Sequence, residues 1–199
     1  MSALYLIRHS LTLANARHLY GGSTDSPLTG EGRMIARDYR AQWPLPEAAL
    51  YVSSGMARAD ETLRLLTGRG ADLVLPGLRE MDFGAFELRG YEELRHDPAY
   101  RRWIEDKSGE VCCPGGECTN SFRARALEAG DVLLHRPESV IVAVCHGGVI
   151  VQLMQAWFPG EDRHFYQWQP GPCCGYRIEI GEGAPIGYAD FPEKGITPE

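Results

Sequence analysis

No run of apolar residues in this chain approaches the length that spans a bilayer, and no basic, apolar, small-residue signal opens it. Membrane spans are therefore not expected, and a cytoplasmic location is. Positive charge is scarce: 20 Lys and Arg against 27 Asp and Glu leave a formal net charge of -7. A nucleic-acid backbone is bound by clustered cations, so no nucleic-acid partner is expected, although a local arginine cluster can still hold one small anion. The six cysteines contain no Cys-x-x-Cys pair and no His at a finger-like offset, so no metal site is expected. Without a secretory signal they read as reduced thiols, with Cys112, Cys113, Cys118, Cys173 and Cys174 beside Pro-Gly turns and Cys145 a small core residue. Also missing are a phosphate loop ending in Lys-Ser or Lys-Thr, His-Glu-x-x-His and Gly-x-Ser-x-Gly, which removes the chemistries those motifs serve. Repeats, long linkers and low-complexity blocks are absent. The 199 residues, 44% hydrophobic and 24% charged, are expected to form a single domain spanning 1–199.

What is present is organised around a short apolar run, Ala3-Leu4-Tyr5-Leu6-Ile7, that stops at Arg8-His9. Such a run reads as a buried central strand of a parallel sheet. The carboxyl end of that strand opens onto the ligand crevice of an open α/β sheet, so a guanidinium and an imidazole are placed where a ligand would bind. The same event recurs late in the chain. The β-branched run Ser139 to Cys145 delivers His146-Gly147-Gly148 to its carboxyl end, and a helical stretch from Val149 to Phe158 comes next. A lone strand-end histidine is often only a satisfied core residue; a second one, beside glycines and a helix start, is an anion-site arrangement.

Between these runs, Met34, Ile35, Ala36, Tyr39 and Trp43 mark a helix from Gly30 that ends at Pro44. Leu50 to Ser54 reads as a strand, followed by a helix with Arg58 in its first turn, where a helix N-terminus itself favours an anion. Asp72 to Leu75 reads as a third strand. Beyond it lie three carboxylates, Glu80, Asp82 and Glu87, and periodicity does not separate them. Gly90 to Lys107 reads as two short helices split near Pro98, where Tyr91, Tyr100 and Trp103 could line a pocket, although each such aromatic is more often a packing residue. Phe122 to Leu133 is helical up to Pro137, Tyr176 to Ile180 and Ile186 to Tyr188 form a hairpin, and Asp190 to Glu199 is a loose tail.

The run Arg8-His9-Ser10-Leu11-Thr12, then Asn15, then Gly22-x-x-Asp25-x-Pro27-Leu28-Thr29-x-x-Gly32, resembles the signature of the histidine phosphatase superfamily, the phosphoglycerate-mutase-like proteins. Ser53-Ser54 with Arg58-Ala59 and Thr62, Leu78-x-Glu80 with Phe83-Gly84, and His146-Gly147 are similar to its remaining motifs. Two positions depart from the pattern: Ser10 stands where the family has Gly, and Leu11 where it has Glu. A Gly at 10 would let the backbone turn tightly behind the histidine, so the pose of His9 is put in question.

The resemblance implies a three-layer α/β/α sandwich around a mostly parallel sheet and a metal-independent, cofactor-free phosphomonoesterase. It implies His9 as covalent nucleophile, Glu80 as proton donor, and Arg8, Arg58 and His146 around the phosphoryl group, with Asn15, Gly21, Gly22 and Gly147 as binding positions. A small phosphate ester is the implied partner, and a homodimer is compatible with the pattern. Leu19 to Gly22, Leu78 to Glu93 and Pro114 to Glu117 look most like the α-ribazole phosphatase branch, which makes α-ribazole 5'-phosphate a candidate substrate. A phosphoglycerate mutase, or a catalytically silent phosphate-binding module, would retain much of the same set.

Overall fold

The computed structural model describes residues 1–48 and 50–193. The apolar run at the start forms β1 (Ser2–Arg8), and a capping box in which Thr12 and Asn15 satisfy each other's backbone opens a single helical turn, α1 (Leu13–Ala16). Thr29 caps α2 (Gly30–Gln42), and β2 (Leu50–Ser53) leads into α3 (Ala57–Thr67), which Gly68 ends in the left-handed conformation that lacks a Cβ penalty. After β3 (Leu73–Val74) come two single-turn 3-10 segments, Pro76–Leu78 and Gly84–Phe86. Two short helices, α4 (Tyr91–Leu94) and α5 (Pro98–Ile104), precede the long α6 (Thr119–Leu134). The chain then runs through β4 (Val140–Cys145), α7 (Gly147–Trp157), α8 (Phe165–Trp168), β5 (Gly175–Gly181) and β6 (Ala184–Phe191).

The six strands form one sheet in the order β3-β2-β4-β1-β5-β6. β3, β2, β4 and β1 pair in parallel, while β5 and β6 close the sheet as an antiparallel hairpin. Alternate side chains of the central strands enter two cores. Leu4, Leu6, Val52, Ile141 and Ala143 pack against the α6 and α7 face; Ile7, Tyr51, Val142 and Val144 pack against Ala36 of α2 and Ala59 and Leu63 of α3. Both faces of the central strands are thus covered, which is why they read as continuous apolar runs. The expected α/β architecture holds: a mixed, mostly parallel sheet flanked by helices.

Two expectations are corrected. Cys112 and Cys118 are joined as a disulfide across the Cys113–Glu117 turn, so only Cys113, Cys145, Cys173 and Cys174 are free thiols. The expected loose tail begins too early, because Asp190 and Phe191 belong to β6, paired with Tyr176 and Gly175; residues 194–199 lie outside the described residues. Of the aromatics that could pack or line a pocket, Tyr100 packs. It is buried under Phe86 and Trp103, with its hydroxyl 2.6 Å from that of Tyr20.

Candidate active site

Because β1 and β4 are parallel neighbours in the register Arg8↔Cys145, the residues just beyond them, His9 and His146, emerge side by side at the same edge of the sheet. Their rings are 5.1 Å apart, and both are buried. His9 Nδ1 lies 2.7 Å from the Ser10 carbonyl oxygen, which can only accept. The proton of the neutral ring is therefore on Nδ1, leaving the Nε2 lone pair available. Burial, with the nearby Arg58 and Arg8 guanidinium groups, lowers the His9 pKa to about 3, so the imidazole is neutral near pH 7.

Ser10 does not spoil this pose. It is not among the residues with positive φ, so its backbone needs no glycine. Its amide donates to Thr62 Oγ1 at 2.9 Å and its hydroxyl to the Gly32 carbonyl at 2.6 Å, tying the loop behind His9 to α3 and α2. The Ser10 hydroxyl reaches that carbonyl because residue 32 is a glycine packed against the same loop, where a Cβ would stand 2.2 Å from the Leu11 oxygen.

His146 has both ring nitrogens engaged. Arg58 Nε donates to Nδ1 at 3.3 Å, which places the ring proton on Nε2, 2.8 Å from Ser54 Oγ. Its pKa is driven well below the ordinary value by burial, then by His9 and the arginines. Arg58 is itself buried and donates further to the carbonyls of Gly22 at 2.7 Å and Thr24 at 3.1 Å, with longer contacts to Gly21 and Asp25 at 3.4 Å. Asp25 also accepts from the amides of Ala57 at 2.6 Å and Arg58 at 3.4 Å. The N-terminus of α3 thus holds the protein's own carboxylate, not an external anion. Gly21 and Gly22 serve first as acceptors for Arg58, and the Gly22 amide is occupied by Glu87.

The three nearby carboxylates separate clearly. Glu87 accepts from the amides of Gly22, Ser23, Thr24 and Phe83, and Asp82 from the Ser23 hydroxyl and the Gly84 amide, so both fasten the loop at 22–24. Glu80 instead turns toward the strand-end histidines, where Oε2 accepts from the Gly148 amide at 3.0 Å and Oε1 from the Met81 amide at 3.0 Å. Its charge offsets part of the burial penalty on Arg8 and Arg58, whose pKa values are lowered chiefly by desolvation. A Cβ at Gly148 would stand 2.4 Å from Glu80 Oε1, so any side chain there would displace the carboxylate from this pose.

Arg8 donates one bond, 2.8 Å long, to the Pro170 carbonyl. A Cβ on Gly147 would lie 3.3 Å from Arg8 Nε and 2.9 Å from Gln169 Nε2, so donors from two distant parts of the chain converge on that backbone. Asn15 uses its side-chain oxygen in the α1 cap, accepting from the Thr12 amide and hydroxyl. Gln169 was not foreseen from the sequence: it stands in the segment between α8 and β5, with no motif around it. The role of Asp25 as an α3 cap was equally invisible, because its partner amides are 32 and 33 positions away. Among the described residues, no group of three or more His, Cys, Asp or Glu side chains could hold a metal ion.

A neutral imidazole with a free nitrogen, arginines on either side and one carboxylate held by backbone amides, all at the carboxyl edge of a parallel sheet, define an α/β protein built to handle a small anion. The chain belongs to the histidine phosphatase superfamily, branch 1, whose profile matches residues 4–186. It is 30% identical over 187 residues, 90% of this chain and 91% of the relative, to the adenosylcobalamin/alpha-ribazole phosphatase of Salmonella typhimurium. It is 31% identical over 151 residues, 74% of this chain and 70% of the relative, to a probable phosphoglycerate mutase GpmB of Enterobacter sp. (strain 638). The solved structure of a putative alpha-ribazole-5'-P phosphatase from Escherichia coli superposes with a TM-score of 0.82 at 26% identity, covering 93% of each chain. A phosphoglycerate mutase from Thermus thermophilus superposes at 0.71 and 31% identity, covering 94% of this chain and 97% of that one.

Proposed function

We propose that this protein is a metal-independent phosphomonoesterase that hydrolyses small phosphate esters through a phosphohistidine at His9. The observation that carries the reading is the fixed tautomer of a neutral His9, whose Nε2 lone pair is free. Nε2 attacks phosphorus and the ester P–O bond breaks, while Glu80 relays the acidic proton of the bound ester monoanion to the departing alkoxide. Glu80, now a carboxylate, takes a proton from water, which attacks the phosphohistidine and releases inorganic phosphate. Arg8 and Arg58 neutralise charge on the equatorial oxygens, with the Asn15 side-chain amide as a neutral donor, while His146, its ring proton on Ser54, orients Arg58. Arg58 reaches the phosphoryl group by exchanging its 3.3 and 3.4 Å contacts for phosphoryl oxygens.

Hydrolysis is favoured over mutase transfer. Glu80 is followed by Phe83-Gly84-Ala85-Phe86, which packs into the aromatic cluster with Tyr20, Tyr100 and Trp103 and brings no basic residue to hold a second carboxylate. A relative that aligns over nine-tenths of both chains is named for alpha-ribazole, and the superposition with an alpha-ribazole-5'-P phosphatase reaches a TM-score of 0.82 against 0.71 for the phosphoglycerate mutase, so we place α-ribazole 5'-phosphate first among candidate substrates. A panel of phosphate monoesters, assayed with purified protein in EDTA, is expected to release phosphate, with radiolabel trapped on His9 and both lost in His9→Ala. Near-wild-type turnover in His9→Ala would overturn the nucleophile assignment. Interconversion of 2- and 3-phosphoglycerate that outpaces phosphate release from every ester would make the protein a mutase.

A further inference from the structure

The stretch from Arg79 to Phe83 belongs to no strand or helix, so no ladder of backbone hydrogen bonds holds the residue that carries the proposed acid. One guanidinium holds it instead. Arg125, on α6, donates from one terminal nitrogen to the carbonyls of Gly77 at 3.0 Å and Arg79 at 2.7 Å, and from the other to the carbonyl of Glu80 itself at 2.9 Å. Its remaining N–H groups fork onto Glu117, at 2.6 Å to Oε1 and 2.7 Å to Oε2, and its face lies over the Phe122 ring at 4.9 Å. All five donors are used, three of them on the backbone leading to Glu80.

Glu117 closes the arrangement from the far side. Its Oε2 accepts from the Asp82 amide and its own amide donates to the Asp82 carbonyl, both at 2.9 Å. Burial disfavours the Glu117 carboxylate, yet the bonds from Arg125 and Asp82 outweigh it and hold its pKa below the ordinary value. The turn that presents Glu117 is itself pinned to the acid segment. Ala85 donates to the Pro114 carbonyl, and a Cβ on Gly116 would stand 2.4 Å from the Asp82 oxygen. Gly77 is flush against α6, where a Cβ would meet Ala129 Cβ at 2.8 Å.

We propose that the Arg125–Glu117 pair is the positioning device of the general acid: it fixes the backbone on both sides of Glu80, and so sets proton delivery to the leaving group without contacting the phosphoryl group. This rests on Glu80 being the acid. A guanidinium fork is needed because one planar cation must face three carbonyls and a carboxylate at once, which an ammonium cannot do. Errors of about an ångström in a catalytic group cost on the order of a hundredfold, and they should appear only where proton donation matters.

The test compares an alkyl phosphate with p-nitrophenyl phosphate, whose phenolate leaves unaided, in Arg125→Lys, Glu117→Gln and Glu80→Gln. With KM and the melting temperature close to wild type, Arg125→Lys and Glu117→Gln should lower kcat on the alkyl ester by roughly tenfold or more and on the aryl ester by less than about twofold. Equal losses on both esters, or no loss, would overturn the positioning role. If Arg125→Lys fails to fold, the milder Glu117→Gln decides. Glu80→Gln separates the two ideas: absence of leaving-group selectivity there removes Glu80 as acid, whereas selectivity there alone removes only the Arg125–Glu117 proposal.

Discussion

Gly148 is the smallest group on which the candidate chemistry turns. Its amide holds one oxygen of Glu80, and the space a side chain would need is already filled by the other oxygen, 2.4 Å from an ideal Cβ. Gly148→Ala should leave α7 folded, since alanine suits a helix better than glycine by about 0.5–1 kcal/mol. It should push Glu80 aside. We expect a fall of roughly a hundredfold in kcat on alkyl phosphates, with a much smaller loss on an aryl ester. A Gly148→Ala enzyme with wild-type alkyl phosphatase activity would show that the Gly148–Glu80 contact is not needed for turnover.

The helix α3 presents a related case, in which the first turn has no capping side chain of its own. Asp25, from the loop after α1, supplies the cap through Ala57 and also faces the Arg58 guanidinium. Removing a cap typically costs about 1–2 kcal/mol. Asp25→Ala should therefore lower the melting temperature by several degrees and raise KM for phosphate esters, because Arg58 loses a restraint. Asp25→Asn keeps an acceptor and should recover much of the stability. A variant Asp25→Ala that melts with wild type would remove the cap from the account.

For the whole molecule, the two buried imidazoles couple stability to pH. The His9 pKa falls from 6.5 in the unfolded chain to about 3 in the folded one, and that of His146 falls as well. Between those limits the unfolded chain binds more protons, so stability is present in full above pH 6.5 and is lost as pH falls toward 3. Each histidine contributes a slope of about 1.4 kcal/mol per pH unit within its window. Denaturant unfolding from about pH 7 to about pH 4 should show this acid destabilisation, with one proton's slope missing in His9→Asn. An unchanged slope in that variant would mean that His9 titrates normally in the fold. Exhaustive EDTA treatment should leave turnover intact, and activity restored only by added metal would contradict metal independence.

Local sequence is enough to specify the strands, the main helices and the identity of the strand-end pairs, because these are written in periodicity and in short motifs. The apolar runs at Leu4 to Ile7 and Val140 to Cys145 had to be buried on both faces, and the residues after each run had to emerge at the carboxyl edge of the sheet. Pro44 and Pro98 punctuated helices where local sequence alone predicts it. Folding in three dimensions was needed to settle which of Glu80, Asp82 and Glu87 faces the histidines, since all three lie within eight residues of one another and differ only in which distant amides they meet. The same holds for the accommodation of Ser10 by Gly32, the capping of α3 by Asp25, and the place of Gln169 and Pro170 beside Arg8. The Cys112–Cys118 bond escaped sequence reasoning for a like cause: the turn that brings the two sulfurs together is held by hydrogen bonds to Asp82 and Ala85. Local periodicity reports which face of an element is buried, whereas a hydrogen bond between residues tens of positions apart exists only once the sheet has set their register.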